Sequence, residues 1–142
     1  MIMEWKALSE TAFGPSQAHD DDAGFDLYVD GDWTIQPGQF VDISLGIAAK
    51  LPEGTWGLLT GRSSTLRRLG LMVTQGVIDC GYTGPLFAGV WNLTNHPVSV
   101  RGGERIAQFI VMPNTSLNVV TTQVDALPET TRGSKGFGSS GK

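Results

Sequence analysis

The strongest constraint on this chain is short period-two alternation, broken again and again by glycine and proline. Val41, Ile43, Leu45 and Ile47 alternate with Asp42, Ser44 and Gly46, so an extended segment here has one apolar and one polar face, as in a half-buried strand. Arg105 to Met112 and Leu117 to Val124 read the same way and are rich in β-branched residues. Leu86 to Leu93 is more continuously apolar, the pattern of a strand covered on both faces. Asp30-Gly31, Pro37-Gly38, Pro52-Glu53-Gly54, Asn95-His96-Pro97 and Arg101-Gly102-Gly103 are turn signals between them. With 19 glycines and 7 prolines scattered over 142 residues, long helices have no room to form. Many short strands in one domain argue for a β-sandwich or jelly roll.

Only Ser63 to Leu69 reads as a helix. Its hydroxyl residues suit an N-cap, Leu66 and Leu69 lie three apart, and Gly70 is placed as a stop. Residues 130–142 differ in kind, with glycines, serines, one aromatic and no aliphatic side chain. Such a segment cannot order itself by burying apolar surface, so it reads as a mobile arm on a domain of residues 1–129.

The net charge of −4 offers nothing to a nucleic-acid backbone. Phosphate recognition must therefore come from a few local arginines and backbone N–H groups, which favours a small phosphorylated ligand. A single cysteine, Cys80, rules out an intrachain disulfide, and with only His19 and His96 it cannot complete a structural zinc site. Met1-Ile-Met-Glu-Trp-Lys6 carries charges where a signal peptide needs an apolar core, and no apolar run is long enough for a membrane span. The expected setting is cytoplasmic, for a cellular or a virus-encoded protein, with no membrane and no nucleic-acid partner.

Four local patterns have chemical content. Arg62-Ser63-Ser64 places a guanidinium, two hydroxyls and backbone donors together, an anion site or simply a capped helix with a solvated arginine. Gly76-Val77-Ile78-Asp79-Cys80-Gly81-Tyr82-Thr83-Gly84 suits a hairpin presenting one carboxylate and one ring to a cleft. Asp79 there is able to take a proton from an attacking water, or merely to start a turn. Cys80 has no histidine in a recognisable partner motif and reads as packing. Asp26 and Gln108 each interrupt an apolar strand-like stretch, suited to holding Mg2+-bound waters or to facing solvent. The ending Gly136 to Lys142 matches a phosphate-binding loop pattern, but no Ser/Thr and no helix follow, so it is not one.

Taken in order, these segments resemble the five motifs of the trimeric dUTPase family. Ala23-Gly-Phe-Asp-Leu27 is similar to the first and Gly61-Arg-Ser-Ser64 to the second. Gly76 to Gly84 is similar to the third, Gly103-Glu-Arg-Ile-Ala-Gln108 to the fourth, and Arg132 to Gly141 to the fifth. The resemblance implies an all-β, distorted jelly-roll subunit with one short helix, assembled as a homotrimer with shared active sites. It implies hydrolysis of dUTP to dUMP and pyrophosphate with Mg2+, which limits uracil incorporation into DNA and supplies dUMP for thymidylate synthesis. By the same resemblance Asp79 is the general base and contacts the deoxyribose, Tyr82 packs on the sugar, and backbone groups of Gly76, Val77 and Ile78 in the Val73–Tyr82 hairpin read uracil. Arg62, Ser63, Ser64 and Gln108 line the phosphates, while Asp26 and Gln108 orient Mg2+-bound waters. Arg132 meets the γ-phosphate, Phe137 stacks on the base, and Gly138, Ser139 and Ser140 complete the arm's contacts.

Gly81 departs from the pattern, since the third motif commonly carries a second acidic residue there; altered local hydrogen bonding is expected, not loss of activity. The second motif and the Asp-x-Gly pattern also resemble dCTP deaminases. Those carry a catalytic glutamate on the strand after the third motif, and Leu86 to Asn92 has no acidic residue. A nucleotide-responsive regulatory protein, with a partner unknown, and a β-sandwich interaction module are the other readings.

Overall fold

The computed structural model describes residues 1–138. The strands are β1 (Glu4–Ala7), β2 (Phe25–Tyr28), β3 (Trp33–Ile35), β4 (Phe40–Lys50), β5 (Thr55–Gly61), β6 (Leu71–Val73), β7 (Gly76–Ile78), β8 (Pro85–Asn92), β9 (Val98–Val100) and β10 (Arg105–Pro113). One helix, α1 (Ser63–Leu69), separates β5 from β6, and a 3-10 turn spans Thr115–Asn118. The strands form two four-stranded sheets, ordered β1-β4-β8-β6 and β2-β10-β5-β7, and a small β3-β9 ribbon. Every pairing is antiparallel. The turn spacing leaves a sandwich or a jelly roll open; the observed subunit, all-β with one short helix, is the jelly roll that the family resemblance implies.

Alternation places the core. Ile43, Leu45, Ile47 and Ala49 of β4 are buried beside Leu86, Ala88 and Val90 of β8, and Ile106, Ala107 and Phe109 of β10 face them from the second sheet. Within the second sheet the Phe109 ring lies diagonally across the neighbouring strand over Gly57, where an added Cβ would collide with it, so only glycine leaves room for this buried ring. Asn92 is buried yet satisfied: its Nδ2 donates to the carbonyls of Ile35 (2.9 Å) and His96 (2.8 Å), and its Oδ1 accepts from Thr94 N (2.8 Å) and Oγ1 (2.7 Å). One side chain thus ties the end of β8 to β3 and to the following turn.

Four sequence expectations need correction. Leu117 to Val124 is not a strand: after the 3-10 turn it is extended coil, exposed throughout, and pairs with no strand among the described residues. Its β-branched residues have the propensity but no neighbouring edge to bond. β8 is covered on one face only, since Phe87 and Trp91 are 47% and 39% exposed, beside Phe40 and Met72. The hydroxyls of Ser63 and Ser64 do not cap α1; Arg62 occupies the cap position and no side-chain cap bond forms. The helix does end as predicted, at Gly70 with φ 68° and its N–H bonded to the Leu66 carbonyl. Finally, residues 73–82 do not pair with themselves as a hairpin: β6 bonds to β8 and β7 to β5, in different sheets.

Candidate active site

Strand register brings the first, second and fourth motifs together. Asp26 on β2 lies directly opposite Gln108 on β10, and Gln108 lies opposite Thr60 on β5. Neighbouring positions on antiparallel strands share a face, so the two polar side chains meet over the start of α1. Gln108 Nε2 donates to the Gly61 carbonyl at 2.9 Å, which turns its amide oxygen towards a cavity of about 330 Å3 lined by His19, Asp22, Asp26, Arg62, Ser63 and Gln108. The Asp26 carboxylate is clamped by two guanidinium groups, Arg62 Nε at 2.9 Å and Arg105 Nη1 at 3.5 Å. Arg62 also donates to the Arg105 carbonyl at 3.2 Å. Two arginines share the one Asp26 carboxylate, so their guanidinium groups keep donors in excess of that carboxylate's needs, free for a phosphate chain.

Arg105 was missed by sequence reasoning, for a definite reason. Residues 105 and 108 differ by an odd number and belong on opposite faces of a regular strand. A bulge between Arg105 and Ala107 shifts the register so that Arg105 opposes Tyr28, returning it to the side of Asp26. A second basic concavity of about 350 Å3 adjoins the first, lined by Arg62, Ser64, Arg68, Glu104 and Arg105.

The third motif lies elsewhere on the subunit. Val77, Ile78, Asp79, Tyr82, Pro85 and Phe87 line a separate cavity of about 260 Å3, which shares no lining residue with the Asp26 cavity. β7 is the edge of its sheet, so Gly76, Val77 and Ile78 keep one side of their backbone groups unpaired in the sheet. Asp79 is exposed, and its carbonyl accepts from Tyr82 N at 3.0 Å, closing a tight turn. The Tyr82 hydroxyl donates to the Pro85 carbonyl at 2.7 Å, which fixes the ring at the cavity rim. Cys80 packs against the core, as its lack of a histidine partner suggested.

Residues 115–135 are exposed throughout. Among the described residues the hydrogen bonds of Thr130, Arg132, Gly133 and Lys135 stay within the arm. Arg132 therefore reaches neither cavity, and Phe137 is fully exposed with φ 50°. Gly138 ends the described chain, and Ser139 and Ser140 lie outside it.

No group of three or more His, Cys, Asp or Glu suited to a metal occurs among the described residues. What the Asp26 cavity offers is one ion-paired carboxylate and one amide oxygen. That donor set fits Mg2+, which keeps much of its water and is held mainly by substrate phosphates, and does not fit an ion that needs a protein cage. No helix among the described residues is long and apolar enough to cross a membrane.

Comparison with known proteins finds relatives over nearly the whole chain. The dUTPase family model matches residues 11–141. The deoxyuridine 5'-triphosphate nucleotidohydrolase of Mycolicibacterium gilvum is 40% identical over 134 residues, covering 89% of this chain and 86% of that protein. The enzyme of the same name from Clostridium tetani is 39% identical over 139 residues, covering 96% and 94%. Among solved structures, the dUTPase of Staphylococcus bacteriophage 80alpha with dUPNHPP superposes with a TM-score of 0.85 at 28% identity, covering 99% of both chains. The fold, the order of the motifs and these relatives agree, and the chain belongs to the dUTPase family.

Proposed function

We propose that this protein hydrolyses dUTP to dUMP and pyrophosphate with Mg2+, through a site composed from three separate parts of the chain. One observation carries the reading: a two-arginine cluster built on Asp26 for the phosphates, and apart from it an exposed carboxylate, Asp79, beside a fixed ring, Tyr82. The first binds a polyanion and the second has the groups for water activation and sugar contact, but within one subunit the two do not share a cavity. A homotrimer in which neighbouring subunits bring them together gives each part its complement. The exposed apolar face of Phe40, Met72, Phe87 and Trp91 supplies surface for such contacts.

In this reading Asp79 accepts the proton of a water that attacks the α-phosphorus in line, and pyrophosphate leaves. Arg62, Arg105, Ser63, Ser64 and Gln108 hold the phosphate chain and offset its developing charge. Bound Mg2+ supplies further charge neutralisation on the phosphate oxygens, and Asp26 and Gln108 orient its waters. The free edge of Gly76, Val77 and Ile78 reads uracil by main-chain hydrogen bonds. Tyr82, tied to Pro85, packs on the deoxyribose and leaves no room for a 2'-hydroxyl. Residues 130–142 act as an arm over the site, with Arg132 on the γ-phosphate, Phe137 on the base, and Gly138, Ser139 and Ser140 beside the phosphates. The enzyme works in the cytoplasm, where it keeps dUTP from DNA synthesis and provides dUMP for thymidylate.

The test is turnover of dUTP, with dCTP and dTTP in parallel, followed as pyrophosphate and dUMP release. A folded, trimeric preparation without dUTP turnover refutes the function. Asp79→Asn is expected to abolish turnover and keep nucleotide binding; full activity in that variant refutes the base. No observation on this subunit favours a purely regulatory or deaminase reading.

A further inference from the structure

The turn that carries Asp79 and Tyr82 has few supports of its own. It is closed by the Tyr82 N–H to Asp79 carbonyl bond. Gly81 inside it has no side chain, and a Cβ built there would meet nothing within 4 Å. Besides the Tyr82–Pro85 tie, its anchorage comes from the end of β4. Lys50 Nζ donates to the Leu51 carbonyl (3.0 Å), to the Cys80 carbonyl (3.3 Å) and to Glu53 Oε1 (3.3 Å), and lies 3.5 Å from Cys80 Sγ. One ammonium therefore bridges two chain segments through main-chain oxygens. The Cys80 thiol runs the other way, reaching the Pro52 carbonyl at 3.3 Å and the Leu51 carbonyl at 3.6 Å.

We infer that Lys50 is a positioning residue for hydrolysis, clipping the Asp79–Tyr82 turn to the end of β4 so that the carboxylate and the ring keep one fixed relation to the bound nucleotide. The inference rests on reading Asp79 as the general base. Its physical ground is that the Cys80 carbonyl belongs to the peptide linking Cys80 to Gly81. With the Asp79 carbonyl held by Tyr82 N–H and the Cys80 carbonyl held by Lys50, each of the three peptide units of the turn has one group held. Without Lys50 the Cys80 carbonyl loses its donor, and the turn is left to the Asp79–Tyr82 bond, the weak Cys80 thiol contacts and the Tyr82–Pro85 tie. The glycine at position 81 then lets the turn shift, and a displacement of about 1 Å at a reacting group costs on the order of 100-fold in rate. The ammonium is well suited to this task. Its pKa is raised above the ordinary lysine value, chiefly by the hydrogen bond to Glu53, with burial opposing and Cys80 adding, so it stays a donor throughout the working range. Sequence reading had no means of finding it, since Lys50 lies outside all five motifs and 30 residues before Cys80.

The experiment compares Lys50→Met, Lys50→Arg, Glu53→Gln and Asp79→Asn in the full-length enzyme with Mg2+. It measures kcat and KM for dUTP, the Kd of the non-hydrolysable analogue dUPNHPP, and the melting temperature. Lys50→Met is expected to lower kcat by about tenfold or more while the analogue Kd stays within about threefold. Lys50→Arg, which keeps the charge and donors, is expected to recover most of that loss, and Glu53→Gln, which leaves both main-chain bonds, to keep the wild-type kcat. Wild-type kcat in Lys50→Met beside an inactive Asp79→Asn overturns the positioning role alone. A fall in kcat matched by an equal loss of analogue binding marks a general structural role and also overturns it. Turnover surviving in Asp79→Asn refutes the base assignment instead, whatever Lys50 does.

Discussion

Gly84→Ala tests how sugar selectivity is built. A Cβ at position 84 would lie 2.7 Å from Tyr82 Oη, 2.8 Å from Cζ and 3.0 Å from Cε1. Ordinary carbon contacts lie at about 3.5–4.0 Å, so the ring must swing away by roughly 1 Å. Pro85 follows Gly84 directly, and the 2.7 Å bond from Tyr82 to its carbonyl cannot survive that swing. The lost bond is solvent-exposed and worth about 0.5–1 kcal/mol. Because Tyr82 is 43% exposed, the ring has solvent to move into and the fold is spared. The melting temperature should fall by no more than about 2–4 °C. The larger effect falls on recognition: contact with a single small group discriminates by about 1–3 kcal/mol, some 10–200-fold. The variant is expected to lose about tenfold in kcat/KM for dUTP and to narrow its preference for dUTP over UTP by a similar factor. Steady-state kinetics on both nucleotides provide the assay. Unchanged discrimination, with the melting temperature preserved, would refute the idea that the Tyr82–Pro85 tie sets sugar selectivity.

Three further outcomes follow from the same geometry. Asp26→Ala removes the carboxylate that organises Arg62 and Arg105, and KM for dUTP should rise about tenfold or more while stability changes by roughly 1 kcal/mol, since the pair is partly screened by solvent; an unchanged KM contradicts the clamp. Asn92→Ala removes the side-chain donor to the Ile35 carbonyl and the acceptor of Thr94 N, while the Thr94 hydroxyl keeps its bond to the His96 carbonyl, and chemical denaturation should show a loss of about 2–4 kcal/mol. Removing residues 131–142 should cut turnover by about 100-fold and leave the melting temperature within about 2 °C, because its described hydrogen bonds reach no further than Thr130 at the base of the arm; normal rates in the truncated protein refute the closing arm.

How far the sequence was legible depended on whether a pattern is local. The β4 alternation and the Gly70 stop are short-range, and both were readable because neighbouring residues alone decide them. Leu117 to Val124 carried the same alternation and still formed no strand, since a strand also needs an edge to pair with, which no local pattern reports. The second face of β8, with Phe87 and Trp91, is uncovered within one subunit for a related cause: apolar composition records that a surface is to be covered, not by what. Asp26, Arg62 and Gln108 were identified through the ordered motifs, and strand register then explained why they meet. Arg105 and Lys50 escaped because one depends on a bulge and the other on a contact between distant segments.

The division of the site between two unconnected cavities has a consequence for inheritance. If each complete site draws its phosphate cluster from one subunit and its base from another, the two halves of the machinery are separable alleles. A chain carrying Asp79→Asn and a chain carrying Arg62→Ala, each inactive alone, should restore part of the activity when co-expressed, since some mixed trimers place a sound base beside a sound cluster. Conversely, one defective copy will poison sites in assemblies that also contain good copies. Gene dosage and dominance for such an enzyme are thus already written into where Asp26 and Asp79 sit on a single fold.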